Sequence, residues 1–186
     1  MKSFTFLFQY FLKPRTVGAI LPSSSKLAEK MMDCIDFQTA KCILEYGPGT
    51  GVFTDKMLEK RNEHTVVVLI EYNKEFCKIL NDKFKDKKNV MIINGSAEDI
   101  DSYVNQYNLP RVDYIVSGLP FASLPENVSH TILLKTKKLL GDSGKFITFQ
   151  YTQFKKGLIS QYFRKIDIKW EYRNIPPAYV FCCSNA

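Results

Sequence analysis

The sequence predicts an α/β fold built on a mostly parallel seven-stranded sheet with helices on both faces, closed by an antiparallel hairpin and preceded by a helical segment. Three observations carry this. From residue 41 onward, short β-branched runs alternate with longer stretches of helical period, as in sheets whose parallel strands are joined by crossover helices. The last two strand candidates are separated only by Asn174-Ile175-Pro176-Pro177, too short for a crossover, so they form a hairpin. The first 40 residues follow neither pattern.

In chain order, the expected strands are 42–46 (CILEY), 65–72 (TVVVLIEY), 90–94 (VMIIN), 112–117 (VDYIVS), 145–151 (KFITFQY), 166–173 and 178–184. Helical period places helices near 50–60, 74–84, 99–107, 125–140 and 153–164. In the N-terminal segment, Phe4, Leu7, Phe8 and Phe11 share one helical face while Phe6, Tyr10 and Leu12 occupy the others, so a helix there is apolar nearly all round and needs covering. Lys13-Pro14-Arg15 breaks it, and Pro22 with Ser23, Ser24 and Ser25 supplies a turn and N-cap candidates for a second helix reaching about Cys34. The expected division is a lid or membrane-contact segment at 1–40 and one domain at 41–186.

At 186 residues, 45% hydrophobic and 24% charged, the chain is a single soluble-type domain and not a collagen-like, coiled-coil or disordered protein. A net charge of +7 favours an anionic partner: nucleic acid, an anionic membrane or a phosphorylated small molecule. Cys34, Cys42, Cys77, Cys182 and Cys183 are odd in number and lack CxxC spacing, which predicts neither a disulfide framework nor a zinc site, and a reducing, cytoplasmic setting. The apolar run 4–12 is too short to span a bilayer, contains Gln9 and Tyr10, and lacks the cleavage site of a signal peptide.

The strongest functional signal is ILEYGPGTGVF, which sets Gly47, Gly49 and Gly51 between a strand and a helix, where backbone N–H groups can approach a ligand closely. Its G-x-G-x-G spacing, with Val52 where a nicotinamide-type loop has its third glycine, disfavours a dinucleotide pyrophosphate. Glu71 ends the second strand, where a carboxylate can accept hydrogen bonds from ribose hydroxyls. Glu45 suits a loop-stabilising carboxylate or a partner for a ligand ammonium.

Together, Glu45-x-Gly47-x-Gly49-x-Gly51, Glu71 and the strand order resemble the Rossmann-like S-adenosylmethionine-dependent methyltransferases. The resemblance implies S-adenosyl-L-methionine as cofactor, no metal, and a binding set of Glu45, Tyr46, Gly47, Gly49, Gly51, Glu71, Tyr72, Ser96, Ala97 and Ser117. Within it, the glycine loop and Glu45 face the methionine part and Glu71 the ribose. Asn94-Gly95-Ser96-Ala97-Glu98 matches the family's adenine-contacting turn, with Ser96 where the family often has an acid and Glu98 as a substitute.

Ser117-Gly118-Leu119-Pro120-Phe121 resembles the N-L-P-Y motif of amino methyltransferases acting on adenine, but Gly118 replaces the side-chain acceptor and offers only its carbonyl. Ribosomal RNA adenine dimethylases resemble the core, yet carry a further helical domain after the last strand and a grip on RNA that this sequence does not display. Over nearly the whole chain, through 11–31, 43–54, 116–125 and 174–181, the sequence is similar to small bacterial phospholipid N-methyltransferases, including those acting on phosphatidylethanolamine.

That resemblance implies transfer of an activated methyl to a head-group amine, a step served mainly by positioning. The catalytic expectations are Gly118, Leu119, Pro120, Phe121, Tyr10 and Tyr151: the Gly118 carbonyl and the two tyrosines orient the amine, and Phe121 offers a cation–π face. Lys13 and Arg15 are expected on the substrate phosphate, with the 3–12 helix lying in the membrane interface or closing as a lid. His64 and His130 read as a surface turn and an ordinary partly buried side chain, so no general base is identified. The partners expected are an anionic membrane surface and a phospholipid, with the protein a monomer held peripherally at the inner face. The alternatives are a ribosomal RNA adenine-N6 methyltransferase, a soluble small-amine methyltransferase, and a catalytically silent cofactor binder at membranes.

Overall fold

A computed structural model describes residues 25–152 and 156–185. Helix α1 (Ser25–Met32) leads into β1 (Cys42–Tyr46), α2 (Val52–Lys60), β2 (Val66–Glu71), α3 (Lys74–Phe84) and β3 (Val90–Asn94). A 3₁₀ turn (Ala97–Asp99), α4 (Ile100–Gln106), β4 (Tyr114–Ser117), α5 (Glu126–Leu140) and β5 (Lys145–Gln150) follow. Helix α6 (Lys156–Ile159), β6 (Lys165–Glu171) and β7 (Ala178–Ser184) complete the chain. The expected 153–164 helix is a single short turn in its described part.

The seven strands form one sheet in the order β3-β2-β1-β4-β5-β7-β6. The first five are parallel, and β7 runs antiparallel between β5 and β6, so the expected terminal hairpin is present and inserts its second strand beside β5. The order reverses between β1 and β4, and sheets of this kind open a crevice beyond the carboxyl ends of the strands at such a switch point.

Why the strands are legible is visible in their burial. Strand β1 is buried along its whole length and β2 from Val67 to Glu71, the continuous apolar pattern of strands covered on both faces. One face carries Leu44, Tyr46, Val68, Ile115 and Phe146 against Ile100 of α4, Ile132 and Leu133 of α5, and Leu158 of α6. The other carries Ile43, Val67, Leu69 and Val116 against Leu27 and Met31 of α1, Phe53 and Met57 of α2, and Leu80 and Phe84 of α3. Three helices thus cover each face. Helix α1 buries Leu27, Ala28 and Met31 completely, so the described part of the expected 1–40 segment is built into this second core. Tyr10, Lys13, Arg15 and the 3–12 helix lie outside the described residues.

One expectation is corrected. Cys34, just after α1, and Cys182, on β7, are joined as a disulfide with their Cα atoms 6.1 Å apart. Spacing rules miss the pair because 148 residues separate its members and only the packing of α1 on the sheet brings them together. Cys42, Cys77 and Cys183 are buried free thiols. Among the described residues no helix is long and apolar enough to cross a membrane, and no group of His, Cys, Asp or Glu is arranged to hold a metal.

Candidate functional site

A cleft of about 850 Å³, open solvent included, lies at the carboxyl ends of β1, β2, β3 and β4. Its floor and sides come from three loops that the sheet holds in register. The Gly47 N–H donates to the Ile70 carbonyl at 2.9 Å, the Gly118 N–H to the Tyr46 carbonyl at 2.8 Å, and the Gly95 N–H to the Glu71 carbonyl at 3.0 Å. Gly47, Gly49 and Gly51 all have positive φ, which explains why glycine recurs there at every second position.

Glu71 organises this end of the sheet. Its Oε2 accepts from the Gly49 N–H at 3.0 Å and its Oε1 from the Asn73 N–H at 2.8 Å, so the carboxylate fixes the glycine loop while lining the cleft. Burial pushes its pKa up, opposed by those backbone N–H groups. With the Tyr72 N–H also on this carboxylate, lone-pair capacity for at least one ligand hydroxyl remains. Beside it Tyr72 is exposed over the cleft, and Asn73 caps α3 by accepting from the Glu75 N–H at 2.8 Å.

Glu45 sits deeper. It is completely buried on the α2 side of the sheet, where Oε2 accepts from the Thr54 hydroxyl at 2.6 Å and Oε1 has no partner. Desolvation raises its pKa to about 8, with the Thr54 hydroxyl opposing and Glu71 reinforcing the rise. Glu45 is thus a buried acid beside the glycine loop with one orphaned oxygen, and it does not itself line the cleft.

The opposite wall is apolar. It comprises Leu119, Pro120 and Leu124 from the loop after β4, Ile70 of β2, Phe76 of α3, and Val128 and Ile132 of α5. Ser96, Ala97 and Glu98 close the end by β3. There the Ser96 hydroxyl accepts from the Glu98 N–H at 3.2 Å, capping the 3₁₀ turn. Gly118 is sterically compelled: a Cβ there would stand 2.7 Å from the Gly47 carbonyl oxygen.

The structure thus brings Gly47, Glu71, Tyr72, Ser96, Ala97, Gly118, Leu119 and Pro120 together around one cleft. Gly49 reaches it through its bond to Glu71, and Gly51 caps α2 behind it. Other expected residues stand elsewhere. Phe121 is fully buried, edge-on to Phe146 with centroids 6.0 Å apart, so its ring is core and not a cleft surface. Tyr46 is also fully buried, its hydroxyl accepting from Thr136 at 3.3 Å, so only its backbone shapes the site. Ser117 is buried and its hydroxyl accepts from the Leu119 N–H at 3.2 Å, which makes it a brace for the loop. Tyr151 packs edge-on to Phe149 on the α1 side. His64 is exposed, and His130 is half-buried against the Tyr162 hydroxyl, as their sequence contexts suggest.

Ile70, Asn73, Phe76, Leu124, Val128 and Ile132 line the cleft beyond the residues the sequence predicts. Asn73 had a readable signal, a capping residue ahead of a helix directly after Glu71. The apolar wall had none, because side chains lining a cleft have the same spacing as those filling a core.

Comparison with known proteins agrees with this geometry. The ribosomal RNA adenine dimethylase family profile matches residues 20–158. Ornithine lipid N-methyltransferase from Singulisphaera acidiphila is 26% identical over 97% of this chain and 94% of its own length. Ribosomal RNA small subunit methyltransferase A from Borrelia garinii subsp. bavariensis is 29% identical over 78% of this chain, which spans only 52% of that relative. A SAM-dependent methyltransferase from Aquifex aeolicus has the same fold, with a TM-score of 0.65 at 17% identity over 86% of this chain and 89% of that one.

Proposed function

The chain belongs to the ribosomal RNA adenine dimethylase family and is an S-adenosylmethionine-dependent methyltransferase, and from that premise we propose that its methyl acceptor is the amino head group of a phospholipid, of the phosphatidylethanolamine class. The residues present fit the cofactor. Glu45 has a buried orphaned oxygen for an ammonium, Glu71 keeps acceptor capacity for a ribose hydroxyl, and Ile70, Phe76 and Ala97 give a flat apolar group an apolar wall. When bound, the cofactor supplies a methyl group already activated on its sulfonium.

The observation that carries the acceptor reading is the loop after β4. Recognition of an adenine amine in the N-L-P-Y manner uses a side-chain acceptor and an exposed ring, and neither is available. No side chain fits at Gly118, and Phe121 is locked against Phe146. What remains is the Gly118 carbonyl as a hydrogen-bond acceptor and a wall of Leu119, Pro120, Leu124 and Val128, which suits an amine carried by a lipid. The ornithine lipid N-methyltransferase supports the same reading, since the likeness runs through almost the full length of both chains. In this account Lys13 and Arg15 hold the lipid phosphate and Tyr10 orients the amine, while Tyr151, packed on Phe149 away from the cleft lining, takes no part.

The family profile favours a second reading, methylation of adenine N6 in ribosomal RNA, and the +7 charge is compatible with it. A comparison of phosphatidylethanolamine vesicles with water-soluble phosphoethanolamine tests the lipid requirement. Methyl transfer to the vesicles alone is expected; equal or faster transfer to the soluble amine would contradict it.

A further inference from the structure

The β6–β7 hairpin turns at the same edge of the sheet as the cleft. Strand β5 runs parallel to β4 and ends at Gln150 opposite Tyr179, while β6 ends at Glu171 opposite Ala178, so residues 172–177 project past the carboxyl edge. Three of the seven exposed large hydrophobic side chains among the described residues lie at or beside this tip. Trp170 is 58% exposed, Tyr172 64% and Ile175 75%. Trp170 lies nearly parallel to Tyr179 with centroids 6.4 Å apart and is tilted against Tyr172 at 6.1 Å, so the rings form one cluster.

Cations flank it. The Arg173 guanidinium lies over the Tyr172 ring at 5.7 Å and donates through Nε to Glu171 at 3.2 Å. Lys169 donates to the Asp33 carbonyl at 3.4 Å on the α1 side, and Lys30 of α1 lies close enough to Glu171 to stabilise its charge.

We propose that this hairpin tip is a membrane-interface contact that seats Trp170, Tyr172 and Ile175 in the head-group region of an anionic bilayer and turns the cleft toward the lipid. The inference rests on the phospholipid reading above and adds the surface that delivers the substrate. Tryptophan and tyrosine are the side chains that favour this boundary, with an apolar body for the acyl edge and a polar tip for the wet side. Arg173 beside the rings, with the positive charge of Lys30 and Lys169 on the other face of the hairpin, favours an anionic lipid surface. RNA would also stack on such rings, but Ile175, the most exposed large apolar side chain of the tip, has no planar face to offer a base and suits an acyl boundary.

Trp170 is the sole tryptophan of the chain, so intrinsic emission reports on this site alone. With vesicles of phosphatidylethanolamine and phosphatidylglycerol, the emission of the full chain shifts to the blue and is quenched by bromine-labelled acyl chains. The Tyr172→Ser, Ile175→Ser variant, altered only at exposed positions, keeps its cofactor affinity and needs roughly tenfold more lipid for half-maximal co-sedimentation. Unshifted Trp170 emission in a protein that co-sediments with vesicles and methylates their lipid would overturn the hairpin contact while leaving the lipid reading intact. A shift that occurs with RNA and not with vesicles, or that tracks dimer formation without lipid, would also overturn it. Shifted, quenched emission with no label in the lipid would uphold the contact and remove the acceptor reading instead.

Discussion

Glu45 makes the apoprotein's stability depend on pH in a way that a single substitution removes. The buried carboxyl moves from an ordinary 4.5 to about 8, because burial penalises the charged form more than the Thr54 hydroxyl supports it. Between those values the unfolded chain has released this proton while the folded chain still holds it, so the folded state binds more protons and stability falls as pH rises. The stability is complete below about 4.5 and has been lost once the pH passes about 8. At roughly 1.4 kcal/mol per tenfold change in proton affinity, the span corresponds to about 5 kcal/mol. Glu45→Gln keeps an acceptor for the Thr54 hydroxyl and cannot ionise. Urea unfolding of both proteins without cofactor at pH 5, 7 and 9 should show the variant gaining on the wild type by several kcal/mol over that range. Parallel curves would refute the claim that Glu45 is held neutral by burial.

Four further outcomes follow from the same geometry. Glu71→Ala removes the anchor of the Gly49 N–H as well as the ribose acceptor, so calorimetry should show S-adenosylmethionine binding weaker by about 1.5–3 kcal/mol; unchanged affinity would remove Glu71 from the site. Gly118→Ala drives a Cβ to 2.7 Å from the Gly47 carbonyl oxygen and should cost about 1–3 kcal/mol in denaturant unfolding, with the cleft loops displaced. Gly49→Ala meets open space but a positive φ, so its cost should stay near ~1 kcal/mol, and a larger loss would mean the loop is more tightly packed than described. Lys13→Ala with Arg15→Ala should slow lipid methylation and spare cofactor affinity, and full lipid activity would take both residues away from the phosphate.

The sheet is readable because its strands are buried on both faces, so CIL of β1 and VVVLI of β2 stand out as short apolar runs ahead of the Gly47 and Asn73 turns. The cofactor side of the cleft was readable for a related reason: glycines at positive φ and an acid ending β2 are demands of the backbone and of charge, written locally. The acceptor side was less so. Phe121 follows the loop motif in sequence, yet only the position of Phe146 on β5 decides that its ring turns inward. Tyr46 follows the two-residue alternation with Leu44 into the core, while Glu45 between them faces α2. Trp170 of β6 reads as an ordinary strand residue until the sheet order makes β6 an edge.

The central claim concerns the methyl acceptor, and parallel acceptors test it most directly. Purified protein is given S-adenosylmethionine with a labelled methyl, together with phosphatidylethanolamine vesicles in one reaction and unmodified ribosomal RNA in another. The account predicts label in the lipid extract and none in the RNA. Label in the RNA alone would show that a loop without a side chain at Gly118 still accepts adenine, and would contradict the reading.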